Sequence, residues 1–393
     1  MGLGIAAAAL GLLGLMVVGV AAAAPPGVPV DAAQTAAQAG SPQRRWSDGQ
    51  AWDWYRKQPW LVGFNYIPST ACNTTEFWQA ETFDAKTIDR ELGWAQGLGF
   101  NTCRVFVQYL VWKQDPEGLK SRLDRFLAVA DAHGISTMPV LFDDCSFGDP
   151  PQTEPYLGKQ RDPVPGMIAP SWTPSPGLKA VADKAAWPDL EKYVKDVVGR
   201  FGRDRRVVVW DLYNEPGNSG MGNKSLPLVE AAFGWARQAG PSQPVTIGVW
   251  GAPAEISNRQ LDLSDVVTFH FYGNGEGLAG NIGRYKALRR PVICTEWMAR
   301  PLGSRWDTDL PLLKRMAVGS YNWGLVNGRM QCQFPWNSPR GAPEPKVWFH
   351  DLFHKDGRPY DAAEHDAIRK TTADKKIDWE ALELGPATNR QER

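Results

Sequence analysis

The sequence predicts an α/β chain folded as a (β/α)8 barrel, the TIM barrel. Short apolar segments recur from about residue 60 onward. Amphipathic helical stretches fill the intervals between them. The segments number eight, and eight parallel strands close a barrel. A doubly wound sheet is the competing arrangement. It is disfavoured because no Gly-x-Gly-x-x-Gly run follows a strand.

The expected strands are WLVGFNYI (60–67), NTCRVFV (101–107), STMPVLFDD (136–144) and VVVWDLYNE (207–215). PVTIGVW (244–250), VVTFHFY (266–272), PVICTEW (291–297) and YNWGLVN (321–327) complete the set. They are short, rich in β-branched and aromatic residues, and apolar on both faces, as buried parallel strands are. The intervals carry helices. Residues 84–99 place Ile88, Leu92, Ala95 and Leu98 on one face and stop at Gly99. Residues 119–134 repeat the design and stop at Gly134. Residues 187–202 open with Pro188 in the first turn and end at Gly202.

The interval from Cys145 to Trp187 is long and rich in Pro and Gly. A loop of this length in a compact domain is usually functional. It follows the third strand, on the face where barrels keep their active sites, so it is expected to wall the cleft.

Residues 1–24 read as a signal peptide cleaved near Ala24, with export to the periplasm or medium. Left uncleaved, this stretch approaches the about 20 residues that anchor a helix in a bilayer. Residues 25–45 read as a linker, 46–370 as the barrel domain, and 371–393 as a charged tail. A terminal helix fading into disorder is expected after residue 365. Export permits disulfides, and Cys72 and Cys145, both just past strand ends, are a possible pair. Cys103 and Cys294 fall inside strands, as buried thiols.

Lys+Arg and Asp+Glu are 43 each, so the net charge is +0. Nothing in that balance draws the chain to nucleic acid or, after signal cleavage, to a membrane. An uncharged partner and a monomer are expected. The 18 tryptophans divide between core and cleft, where flat rings stack on sugars. Trp112, Trp250 and Trp297 are the stacking candidates.

Hydrolysis of a glycosidic bond uses two carboxyl groups flanking the anomeric carbon. One protonates the leaving oxygen, and in the retaining mode the other attacks. Glu215 ends the fourth strand in Asn214-Glu215-Pro216, and Glu296 ends the seventh in Thr295-Glu296-Trp297. A barrel brings those two ends together across its mouth. Arg104 lies within an apolar strand, where an unpaired charge is costly, so it needs a partner.

This constellation resembles the clan A glycoside hydrolases, and most closely the cellulase-like family 5, over about residues 60–355. The resemblance implies Glu215 as acid/base and Glu296 as nucleophile. It implies that Asn214 meets the sugar 2-hydroxyl and that Arg104 holds the nucleophile ionised. It pairs Tyr272 with the nucleophile and His270 with substrate or the acid/base, and it lays Trp323 under the reacting sugar. The family usually has a histidine near the end of the third strand, where this chain has Asp143 and Asp144. Those acids could bind sugar hydroxyls or help hold a cation. Asn65 and Tyr66 on the first strand are further cleft candidates.

No cofactor and no metal are expected. His350-x-x-x-His354 lacks the Glu of a zinc motif and reads as packing. The expected activity is retaining hydrolysis of an oligosaccharide or polysaccharide with β linkages, by an endo-acting β-mannanase or β-glucanase. A transglycosylase with the same pair, or an inactive glycan-binding barrel, are the alternatives.

Overall fold

The computed structural model describes residues 44–379. The expected signal peptide, nearly all of the linker and the tail beyond residue 379 lie outside the described residues. Eight parallel strands form one sheet in the order β5-β4-β3-β2-β1-β8-β7-β6. They are β1 (Val62–Asn65), β2 (Thr102–Phe106), β3 (Ser136–Asp143), β4 (Trp210–Asn214), β5 (Val245–Thr246), β6 (Val267–His270), β7 (Val292–Trp297) and β8 (Gly319–Asn322). A parallel bridge between Val249 and Phe269 and a 2.8 Å hydroxyl contact between Thr246 and Thr268 close the ring between β5 and β6.

Helices pack outside the ring. The main ones are α1 (Asp48–Tyr55), α2 (Ala85–Gly97), α3 (Pro116–Ala132), α4 (Trp187–Phe201), α5 (Leu226–Gln238), α6 (Ala254–Leu263), α7 (Gly275–Lys286), α8 (Asp309–Arg315) and α9 (Ala362–Thr372). Helix α4 buries Leu190, Tyr193, Val194, Val197, Val198 and Phe201, the 3.6-residue stripe that docks a helix on a sheet. Helices α2 and α3 end where expected, at Gly99 (φ 79°) and Gly134 (φ 68°), which take the left-handed conformation without a Cβ clash.

The N-terminal helix caps the bottom of the barrel. Ala51 and Tyr55 of α1 pack with Leu61, Met138, Val209 and Ile293. The chain returns there at its other end, because the Trp60 amide donates to Lys375 O at 2.8 Å and Trp379 packs edge-on against Trp52 and Tyr55. Packed backbone thus continues past α9, where a fading tail was expected.

Three sequence expectations need correction. The eighth strand begins and ends earlier than residues 321–327. Gly324 (φ 77°) turns the chain out of the sheet, and Val326 bridges Phe353 instead. The fifth strand contracts to two residues plus the Val249 bridge. All five cysteines are free, so Cys72 and Cys145 are not paired. The Cys72 thiol donates to Arg161 O at 3.6 Å, while Cys145 faces the barrel mouth.

Among the described residues, no helix is long and apolar enough to cross a membrane.

Candidate active site

A cavity of about 450 Å³ opens at the C-terminal ends of the strands. Its chemistry is set from below by Arg104. Alternation along β2 points this side chain into the barrel, where it is fully buried. Its Nε donates to Asp211 at 2.9 Å, and Nη2 donates to Asn214 Oδ1 at 2.7 Å. Its Nη1 donates to Asn65 Oδ1 and to Glu296 Oε1, both at 2.8 Å. One guanidinium fork therefore ties β1, β2, β4 and β7 to one point. Asp211, on β4, is the partner that the buried charge required. The sequence carries its signal, an acid inside an apolar strand.

Glu296, the last residue but one of β7, has both oxygens engaged. Oε1 receives Arg104, and Oε2 accepts from the Tyr272 hydroxyl at 2.8 Å. Glu215 stands opposite, just beyond β4. Its backbone adopts φ 44°, a conformation that non-glycine residues rarely take. Its Oε2 accepts from Asn218 Nδ2 at 2.6 Å and from the Cys145 thiol at 3.3 Å, and its Oε1 lies 2.9 Å from His270 Nδ1. A carboxylate oxygen of each glutamate and a ring nitrogen of His270 all lie within 4.8 Å of one another.

Burial raises the pKa of both glutamates above the ordinary value. The opposing influences differ. Glu296 touches the permanent charge of Arg104, whereas the groups touching Glu215 are neutral. Burial depresses His270 to about 4, so this ring is uncharged at neutral pH. When the pair holds one proton, the contacts favour its residence on Glu215.

Asn214 is almost fully committed. Its oxygen accepts from Arg104, and its Nδ2 donates to Asp143 at 2.8 Å and faces Cys145 Sγ at 3.5 Å. One N–H at most is left for a substrate hydroxyl. Trp323 lines the cavity as an aromatic wall, packed edge-on against Phe106 and Trp172.

Asp143 and Asp144 are buried and do not line the cavity. Asp143 accepts from Asn214, from Trp172 Nε1 at 2.7 Å and from the Cys145 amide at 3.0 Å. Asp144 accepts from Tyr213, Ser225 and the Gly217 amide. Both acids brace the loops rather than reach for sugar. Asn65 likewise braces Arg104, and Tyr66 is buried against Glu91. Trp250 lines the cavity. Trp112 packs against Tyr109 and Tyr193 and bonds Asp196, and Trp297 packs against Trp306, so neither stacks in the cleft. Residues that sequence reasoning missed include Cys145, Asn218, Trp172 and the half-exposed Trp336. The last two sit in loops without periodicity, which leave no pattern to find.

Glu215, His270 and Glu296 also form, among the described residues, a group with the spacing of a metal site. Two carboxylates and an imidazole suit a borderline ion such as Zn2+.

Comparison with known proteins agrees with this architecture. The model of the cellulase family, glycosyl hydrolase family 5, matches residues 67–300. No curated protein matches the chain. Among solved structures, an endo-β-1,4-mannanase from Thermotoga petrophila is 14% identical with a TM-score of 0.54, covering 81% of this chain and 77% of its own. An exo-β-1,4-mannosidase from an Opitutaceae bacterium is 19% identical with a TM-score of 0.55, covering 81% of this chain; the match spans only 60% of that protein. A family 5 protein from Streptomyces cattleya, in complex with Manβ1-4GlcNAc, is 13% identical with a TM-score of 0.54, covering 86% and 83%. At such identities these likenesses bear on the fold, while the family model spans most of the barrel. The chain belongs to glycosyl hydrolase family 5 and is an O-glycosyl hydrolase.

Proposed function

We propose that the protein is a retaining glycosidase that cleaves β-linked mannosyl or glucosyl chains through a covalent intermediate. The observation that carries this is the short gap between Glu215 and Glu296, with oxygens within 4.8 Å. Retaining enzymes hold their carboxyl groups about 5–5.5 Å apart, whereas inverting ones leave about 6.5–9.5 Å for a water.

Glu296 is the nucleophile. Arg104 and Tyr272 fix its carboxylate and favour the anion. It attacks the anomeric carbon, and the bond to the leaving oxygen breaks. Glu215, held protonated by burial, gives its proton to that oxygen. In the second half, Glu215 takes a proton from water, the hydroxide attacks the anomeric carbon, and the ester to Glu296 breaks. Asn214 offers its remaining N–H to the 2-hydroxyl, and Trp323 carries the ring.

Mannose is the favoured sugar because the similar structures include proteins described as a β-1,4-mannanase and a β-1,4-mannosidase. Those activities include both endo and exo action, so they support the sugar and not the mode. A polysaccharide or oligosaccharide remains the expected substrate, with export through the N-terminal segment.

The test is hydrolysis of aryl β-glycosides and of mannan, β-glucan and xylan by wild type, Glu215→Ala and Glu296→Ala. Loss of activity in both variants, with azide restoring aryl glycoside turnover, is expected. Activity that survives Glu296→Ala removes the nucleophile assignment.

A further inference from the structure

The loop after β3 (residues 145–177) and the loop after β8 (residues 323–350) meet each other above the barrel. The Ala169 amide donates to Met330 O at 2.7 Å, and the Gly341 amide donates to Pro165 O at 2.7 Å. Gln331 Nε2 donates to Val164 O at 2.8 Å, and Arg340 Nη2 donates to Asp149 O at 3.1 Å. The approach is so close that a Cβ on Gly166 would stand 2.3 Å from the Ala342 amide nitrogen. In the strand order, β1 and β2 lie between β8 and β3. The joined loops therefore roof the mouths of β1 and β2.

Beneath this clasp the space is filled. Phe106, Ile168, Trp172, Met330, Cys332 and Phe334 form one apolar cluster. The void left over β1 and β2 measures about 20 Å³, against about 450 Å³ for the cavity at the glutamates. That void has room for about one water and none for a sugar ring.

The catalytic pair gives the cavity a direction, taken from the roles proposed above. The leaving oxygen lies at Glu215, so the leaving sugar extends over β4 to β6, past Asn218, Trp250 and Phe271. The anomeric carbon lies over Glu296, so the ring that becomes covalently held extends toward β8, against Trp323 and Trp172. A second sugar on that side would continue over β1 and β2, where the apolar plug stands.

We infer that the cavity accepts a single sugar on the glycone side and that the enzyme works from the non-reducing chain end, releasing one monosaccharide per turnover. This reverses the endo-acting expectation drawn from the sequence. The loop after β3, expected to wall the cleft, spends its length in sealing one end of it.

The experiment uses the full chain with mannohexaose and cellohexaose labelled at the reducing end, beside 4-nitrophenyl β-mannoside and β-glucoside. The expected first labelled product is the pentaose, with shorter labelled chains appearing only in sequence, together with turnover of an aryl monoglycoside. Labelled dimer and trimer at the earliest times, with a folded and active enzyme, overturn the closed end and leave the catalytic pair standing. Inactivity on all four substrates removes the β-mannosyl and β-glucosyl reading proposed above, and this inference falls with it.

Discussion

The thiol of Cys145 lies 3.3 Å from Oε2 of Glu215, and together with Asn218 it supplies the neutral donors to that carboxyl. Both contacts favour the ionised form, against the burial that raises the Glu215 pKa. Cys145→Ala removes one of them. The Glu215 pKa is expected to rise further, moving the alkaline limb of the kcat/KM profile to higher pH. An unmoved or lowered limb in a folded variant argues against the thiol as a donor.

Arg104 makes contact with four partners, Asp211, Asn65, Glu296 and Asn214. Arg104→Lys keeps a charge but lacks the planar fork. Glu296 and Asn214 lose their common brace, so kcat/KM is expected to fall by about 10²-fold through misplacement. Weaker support of the Glu296 anion raises its pKa, so the acid limb moves to higher pH. A variant whose rate falls with an unchanged acid limb assigns Arg104 a purely structural part.

Asp351 is buried beside Gly324, and its Oδ2 has no hydrogen-bond partner among the described residues. Burial pushes its pKa up to about 7. The unfolded carboxyl releases its proton near pH 4, so from there to about pH 7 the folded state binds the extra proton. Stability therefore falls as pH rises through that window. Asp143, pushed up to about 7, and Asp144, pushed up to about 6, act in the same direction. Calorimetry should find Asp351→Asn melting higher than wild type by about 2–4 °C at pH 8, with little difference at pH 4. Equal melting shifts at both pH values count against titration as the cause.

Glu215, His270 and Glu296 can close on an ion. Zn2+ is expected to inhibit hydrolysis reversibly, and a chelator to restore it. Inhibition should strengthen with pH as both carboxyls ionise, and Mg2+, which prefers an all-oxygen shell, should be far weaker. Titration calorimetry on Glu215→Gln locates the ion, because binding that persists undiminished there puts it elsewhere.

Much of this geometry was legible in the residues, and the illegible parts share a cause. Glu215 and Glu296 stand where apolar strands end, and Arg104 is conspicuous as a charge inside one. His270 and Tyr272 come with the family resemblance, and alternation adds only that both lie on one face of the sixth strand. Asp143 and Asp144 misled because the period fails at the end of β3, where the chain turns and pairs with Ser175. The same positions that suggested sugar ligands became loop braces. Cys145 gave no signal, since its role arises from a 70-residue separation that only the closed ring collapses. The clasp was illegible for a related reason. Its partners, Pro165 with Gly341 and Ala169 with Met330, belong to two loops without regular pattern.

The ring is not equally strong around its circumference. Strand β5 has two residues, and the β6 side is joined to it by the Val249–Phe269 bridge, the Thr246 and Thr268 hydroxyls, the Asp265 amide on Val245 O and the Thr246 hydroxyl on Val266 O, not by a continuous ladder. Local breathing costs least where the fewest ladder bonds must break. Amides around Val249 and Phe269 should therefore exchange with deuterium faster than those of β2 or β3. That sector lies below Trp250, on the side where the leaving sugar departs. The barrel is stiff where the glycone must be gripped and loosest where a product must let go.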